Sequence, residues 1–317
     1  MNILHLCNTA LAGAPVHLST IINKYTEHKS RCILKRTFSS AILKNLQWNY
    51  DITNPNSHQI NQLVNGTDII HFHNKPYLNI NVKSQRTLLQ FHGQPQGYIP
   101  NVTFRNFNGK KLVISQYHPR FYTDALIVPN MIDIWDEKHS PLPKNENKVK
   151  IFFGYASELK KSWADKGVSN TQDVLNRIKN KYKDKVIIKI VTNTPYEKCL
   201  QEKRDADIVI DACSDHSKSF HLSSLEGCSV GALVINSMDD VTFDFMKQIS
   251  QTDSHPFIIC EPKNLENKLQ YYINKKDKLR EKQTEARQWM ETYWDPKILV
   301  KYFIRAYENL MKKGVVS

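Results

Sequence analysis

Short apolar runs alternate with amphipathic runs along most of the chain. Asn2–Leu6 reads as a strand, and Val16, Leu18, Ile21, Ile22 and Tyr25 fall at helical spacing. Arg31–Leu34 reads as a second strand. Further strands are predicted at Asp68–Phe72, Thr87–Phe91, residues 111–116 (KLVISQ) and Ala125–Pro129. Helices between them are weaker, with Ser39–Gln47 and Ser57–Val64 as candidates. Strands joined by helical crossovers imply a parallel sheet.

The pattern lapses at residues 134–148, IWDEKHSPLPKNENK, a polar stretch with two prolines that reads as a linker. It then restarts: strand KVKIFFGYAS, helix NTQDVLNRIKNKY with Asn170 or Thr171 as N-cap, strand KVIIKIVTN, helix YEKCLQEKR and strand ADIVIDAC. The segment Ser223–Ser237, SSLEGCSVGALVINS, predicts a helix closed by Gly231 and then a buried strand. Strand FIIC and two long helices, 265–293 and 297–312, follow. The expected organisation is an N-terminal domain at 1–137, a linker at 138–148, a second domain at 149–296 and a helix at 297–317 returning to the first. The fold class is α/β: two doubly wound, Rossmann-like domains facing across a cleft. Ligands of such sheets sit beyond the carboxyl ends of the strands. This draws attention to Gly13, Asn74, His92, Gly93, Ser157, Glu158, Asn193, Ser214 and the region of Glu226.

Charge sharpens this picture. Of a formal net charge of +13, residues 1–145 hold 15 Lys/Arg against 7 Asp/Glu. That excess favours an acidic partner: nucleic acid, an anionic membrane surface or a phosphorylated substrate. No apolar run reaches the roughly 18 residues a membrane-spanning helix needs. The N-terminus reads as a first strand rather than a signal peptide. The six cysteines show no zinc spacing and are expected as free thiols in a reducing cytoplasm. His71 and His73 form an H-x-H pair, but no third or fourth ligand at recognisable spacing accompanies them. No metal is therefore expected, and a structural or acceptor-facing role is. Nucleophile-elbow, zincin, Walker and dinucleotide-binding motifs are absent.

The ordered segments AGAP (12–15), DIIHFHN (68–74), FHG (91–93), VPNMID (128–133), KG (166–167) and SSLEGCSVGALVINS (223–237) resemble a GT-B glycosyltransferase. They are similar to the retaining, sugar-nucleotide-dependent enzymes called family 4, whose ending the tail also resembles. The resemblance spans nearly the whole chain. It implies that Gly13 and Ala14 approach the donor phosphates, and that Lys166, with Lys161 or Lys160, contacts the diphosphate. Glu226 would bind the ribose hydroxyls as the second acid of an E-x7-E motif. Lys218 stands where the first acid belongs, and Ser219, Phe220 and His221 replace a Gly-Phe-Gly segment near the donor sugar. Ser224 is a further donor-site candidate. These departures would suit an unusual or acidic sugar, or a site that has lost catalysis. His92 matches a histidine near the donor sugar. His73, Asn74 and Lys75 are candidates for the acceptor side.

The function implied is transfer of a sugar from a nucleotide-sugar co-substrate, UDP-linked by family habit, to a hydroxyl with retention, without a cofactor or bound metal. The acceptor would be a surface glycan or glycolipid. Alternatively, the positive N-terminal half and the basic-aromatic stretch TFRNFNGKK (103–111) would suit DNA carrying a hydroxymethylated base. A non-catalytic GT-B-shaped binding protein is the other alternative. A cytoplasmic location is expected, with peripheral association at an acidic surface left open.

Overall fold

Strands and helices alternate to build two parallel sheets, one in each of two units. The computed structural model describes residues 1–35, 48–76, 86–94, 107–144, 147–155 and 164–313. Met1–Ile132, with the chain from Pro296 onward, forms the first unit, and Asp133–Asp295 the second. The first sheet contains β1 (Asn2–Cys7), β2 (Lys29–Leu34), β3 (Ile52–Thr53), β4 (Ile69–His73), β5 (Thr87–Phe91), β6 (Lys110–Ile114) and β7 (Leu126–Val128). Its order is β3-β2-β1-β4-β5-β6-β7. The second contains β8 (Val149–Tyr155), β9 (Val186–Thr192), β10 (Ile208–Ala212), β11 (Leu233–Asn236) and β12 (Phe257–Ile259), ordered β12-β11-β10-β8-β9. All strand pairs are parallel. Each sheet grows one way from its first strand and then the other, so its topological switch lies between β1 and β4, or between β8 and β10.

Strand alternation sorts the first sheet into two unlike faces. Leu4, Leu6, Ile33, Ile70, Phe72, Leu89 and Phe91 form an apolar cluster on one. His5, Cys7, His71 and His73 occupy the alternate positions, with His5 opposite His71 and Cys7 opposite His73. Two helices serve this face. In α1 (Ala14–Tyr25), Leu18, Ile21 and Ile22 are buried, and Val16 packs on Cys7 and Cys32. In α9 (Pro296–Lys313), Phe303 and Tyr307 are buried, and Tyr307 reaches His71. Asn56 and Gln59 close a capping box at the start of α2 (Ser57–Asn65).

In the second unit, Ile151, Phe153, Ile208, Ile210, Leu233 and Ile235 meet Val174, Leu175 and Ile178 of α3 (Val168–Tyr182) and Leu265 and Leu269 of α7 (Leu265–Asn274). The helices α4 (Tyr196–Asp205), α5 (Leu222–Ser229) and α6 (Asp240–Ser250) complete the crossovers. Gly231, at φ 70, follows α5 as its spacing implies.

Several boundaries differ from the sequence reading. The N-cap of α3 is Gly167, in left-handed geometry, rather than Asn170 or Thr171. Thr171 is buried one turn in, its N–H donating to the Gly167 carbonyl. The helix expected over 265–293 is two helices, α7 and α8 (Lys276–Tyr293), hinged at Lys275. The apolar stripe of Leu265, Leu269, Tyr272 and Ile273 continues in phase through Leu279, Ala286 and Met290, so the spacing reads as one helix although the backbone leaves helical geometry at Lys275, with φ −116 and ψ 71. Residues 138–144 are tied to the second unit. Arg204 donates to the Ser140 carbonyl, and Lys144 donates to the carbonyls of Arg204 and Ala206. The candidate helix Ser39–Gln47 lies outside the described residues.

Gly167 is the glycine on which the local geometry of α3 depends. Its φ is 63°, and a Cβ there would lie 2.1 Å from the Cys213 carbonyl oxygen. Gly167→Ala is expected to destabilise the chain by about 1–3 kcal/mol. Gly66→Ala, whose Cβ would meet only the Leu63 carbonyl at 4.0 Å, is expected to be near neutral. Unfolding midpoints of both variants in urea check the contrast.

Candidate active site

The second sheet's switch point is marked by Asp211, one residue before the end of β10 and fully buried. A lone carboxylate there is stable only if its oxygens are satisfied. One oxygen pairs with Lys166 Nζ. The other accepts the His221 backbone N–H at 2.9 Å and the Ser224 hydroxyl at 2.6 Å. His221 Nδ1 lies 3.0 Å from that oxygen and 3.3 Å from Lys166 Nζ. Asn236, at the end of β11, donates to Ser224 Oγ at 3.1 Å. Burial pushes the Asp211 carboxyl up, but the Lys166 charge and the His221 contacts hold it well below the usual carboxylate range.

Local chemistry explains why these groups meet. Asp165 accepts the Gly167 N–H at 2.8 Å, turning the chain so that Lys166 lies across the end of β10 and α3 begins at once. His221 is the N-cap of α5, so its N–H is among the donors that a helix start leaves unpaired. The starts of two helices, one cation and one imidazole therefore gather at the carboxyl edge of this sheet. That is the equipment for holding an anion.

Beneath this cluster, Glu226 of α5 pairs with Lys203 of α4, their side chains only 4% and 5% exposed. Tyr196 hydrogen-bonds the same carboxylate, and the Phe152 ring lies 5.6 Å from Lys203 Nζ. Burial lowers the Lys203 ammonium, but Glu226 more than compensates, and the net direction is upward. In the described conformation, the carboxylate expected to face ribose hydroxyls thus sits in an enclosed ion pair.

The other expected donor-site residues are spread unevenly. Lys166, His221 and Ser224 are brought together. Lys218 is exposed at φ 45, its carbonyl accepting from Thr242. Ser219 is buried, and its hydroxyl bonds the Phe220 carbonyl. Phe220, expected in the donor site, is a core residue with its ring against Phe257 and Trp294. Gly13 has φ 75, but a Cβ there would meet the Trp48 ring at 2.1 Å, so that indole covers the turn. Ala14 is buried at the first position of α1. Ser157, Glu158, Lys160 and Lys161 lie outside the described residues, as do residues 103–106.

In the first unit, His92 follows β5 and is partly buried, and burial pushes its imidazole down to about 3, leaving it neutral. Its Nε2 lies 2.9 Å from Nδ1 of the buried His73. Asn74, in left-handed geometry, accepts the His92 N–H at 2.6 Å and so joins the ends of β4 and β5. The Lys75 side chain is exposed, and its carbonyl accepts from Asn8. Asp211, Lys203 and Asn236 are the residues that pattern reading missed. Asp211 carried a signal, a charge inside the apolar run ADIVIDAC. Lys203 is one cation among several on an amphipathic helix and carried none.

No protein-family model and no curated protein matches the sequence. Solved structures do. The chain matches a glycosyltransferase from Rickettsia africae at a TM-score of 0.62 and 14% identity, covering 98% of this chain and 99% of that one. It matches an alpha-glucosyltransferase bound to UDP and a 13-mer DNA at 0.66 and 11% identity, covering 97% and 100%. It also matches HepE of Anabaena bound to UDP and glucose at 0.60 and 14% identity, covering 98% and 100%. These likenesses define the fold as GT-B, a pair of parallel α/β sheets with a helical C-terminal tail.

Removing one partner of an enclosed ion pair strands the other charge. Lys203→Met and Glu226→Leu are each expected to cost about 3–5 kcal/mol, and the double variant less than either. A double-mutant cycle of urea unfolding checks this; additive losses would contradict the pairing.

Proposed function

We propose that the chain is a glycosyltransferase that moves a sugar from a UDP-linked donor to a hydroxyl acceptor. The observation that carries the reading is the cluster of Lys166, Asp211, His221 and Ser224 at the carboxyl edge of the second sheet. A nucleoside diphosphate bound at this edge would meet Lys166 and two helix starts, and the alpha-glucosyltransferase and HepE structures, which share the fold, both contain UDP. Asp211 acts as the positioning residue. It holds Lys166 Nζ and the start of α5 in place before any ligand arrives, so little reorganisation remains when charge develops.

In the proposed reaction, the acceptor oxygen bonds to the anomeric carbon as the bond from that carbon to the β-phosphate oxygen breaks. The acceptor proton passes to the departing phosphate oxygen on the same face, and the anomeric configuration is retained. Lys166 and the positive ends of the α3 and α5 dipoles stabilise the charge released on the diphosphate. Ser224 and Asn236 keep Asp211 satisfied. Glu226 fixes α5 to α4 through Lys203. His92, neutral and oriented by His73 and Asn74, is a group of the first unit suited to hydrogen-bonding a sugar hydroxyl.

For the acceptor, we propose a surface glycan or glycolipid. A second reading, DNA bearing a hydroxymethylated base, is favoured by the charge of the first 145 residues and by the fold likeness to a transferase bound to DNA. Labelled nucleotide sugars offered with lipid-linked saccharides and with hydroxymethylated DNA separate the two. Transfer that depends on Lys166 is expected, with Lys166→Ala losing about 10²–10³-fold in turnover. Asp211→Asn should lower turnover while leaving unfolding cooperative. Absence of transfer with every donor and acceptor would remove the enzymatic reading, and full activity in Lys166→Ala would remove the site.

A further inference from the structure

Three histidines meet on one face of the first sheet, at positions where a strand buried on both sides is ordinarily apolar. His5 of β1 stands opposite His71 of β4, and His73 lies two residues further along the same face. All three are at most 1% exposed. Their ring centroids are 4.4 to 5.2 Å apart. One ring nitrogen from each falls within a group whose members are all within 4.8 Å of one another. His5 Nδ1 and His73 Nε2 are already 3.0 Å apart.

We propose that His5, His71 and His73 form a binding site for a divalent first-row transition-metal ion of the zinc type. Three imidazole nitrogens are a donor set for zinc, cobalt, nickel or copper rather than for magnesium or calcium. Tetrahedral zinc with nitrogen at roughly 2.0–2.1 Å places its ligand atoms about 3.3 Å apart. The His5–His73 pair is near that spacing, and side-chain rotation brings His71 to it. The fourth position goes to water or hydroxide, as in three-histidine sites generally. Cys7 lies cross-strand from His73, but its sulfur is 3.8 Å from that of Cys32, and it is not in the ligand group.

The surroundings fit a metal better than a plain polar core. Outer partners orient two of the rings: His71 Nδ1 is 2.9 Å from the Tyr307 hydroxyl, and His73 Nδ1 is 2.9 Å from His92 Nε2. Among the described residues, Nε2 of His5 and of His71 have no hydrogen-bond partner of ordinary geometry. Ligation of His73 through Nε2 would leave its Nδ1–H to donate to His92, fixing the tautomer of both rings. The ion would then join β1 to β4 and orient His92.

The test uses the full chain without an affinity tag, loaded with Zn²⁺, freed of excess metal and assayed for zinc by mass spectrometry. About one equivalent is expected to remain. His5→Gln and His71→Gln should weaken binding at least about tenfold, while His58→Gln, an exposed histidine, should not. Far-ultraviolet dichroism reports whether each variant folds. The Co²⁺ form of the wild-type chain decides the matter even if the variants do not fold. It should show the intense visible bands of a four-coordinate ion, with hyperfine-shifted imidazole N–H signals from three histidines. Retention of no metal, undiminished binding in folded His5→Gln and His71→Gln, or fewer than three shifted imidazole signals would overturn the proposal.

Discussion

A carboxylate with no solvent exposure must be surrounded by donors, and Asp211 sets that requirement at the end of β10. Lys166, the His221 N–H and Ser224 meet it, and each comes from a different stretch of chain. The turn at Gly167, the start of α5 and the placement of β11, through Asn236, are therefore tied to one side chain. The same satisfaction of Asp211 leaves Lys166 at the sheet edge, where a diphosphate would need it. Stability and the proposed chemistry share these contacts.

The layout behind this is a property of parallel sheets. The inner strands of each sheet are buried on both faces, so they are nearly continuous in apolar residues, and polar groups collect at the carboxyl ends. Asp211 and Asn236 mark that edge in the second unit, and Asn74 and His92 mark it in the first. The exception is the row His5, His71 and His73, which lies within the sheet. A buried row of imidazoles needs partners as a buried carboxylate does, and Tyr307 and His92 supply two of them. Lys203 and Glu226 solve the same problem by pairing with each other.

Much of the fold was legible in the sequence, because strand runs such as IIHFH and TLLQF announce themselves through apolar density. Lys166, His221 and Ser224, all named from the resemblance motifs, meet around Asp211, which those motifs do not include. What was not legible depends on register and packing. That His5 stands opposite His71 follows from the pairing of β1 with β4, which spacing along the chain does not encode. The partnership of Glu226 with Lys203 depends on how α4 packs against α5. Phe220 read as a donor-facing residue because its motif suggested it, yet the aromatic neighbours Phe257 and Trp294 claim it for the core. The break at Lys275 was not legible, because the apolar stripe keeps its spacing across it, from Tyr272 to Leu279 and Ala286.

The central claim is that Lys166, held by Asp211, receives a nucleoside diphosphate through its phosphates. Calorimetric titration of UDP and of uridine into the wild-type chain and into Lys166→Met tests this most directly. The account predicts that the substitution weakens UDP by about 10- to 100-fold, or roughly 1.4–2.8 kcal/mol, and leaves uridine unaffected. Equal affinity of UDP for the two chains, or an equal loss for UDP and uridine, would contradict it.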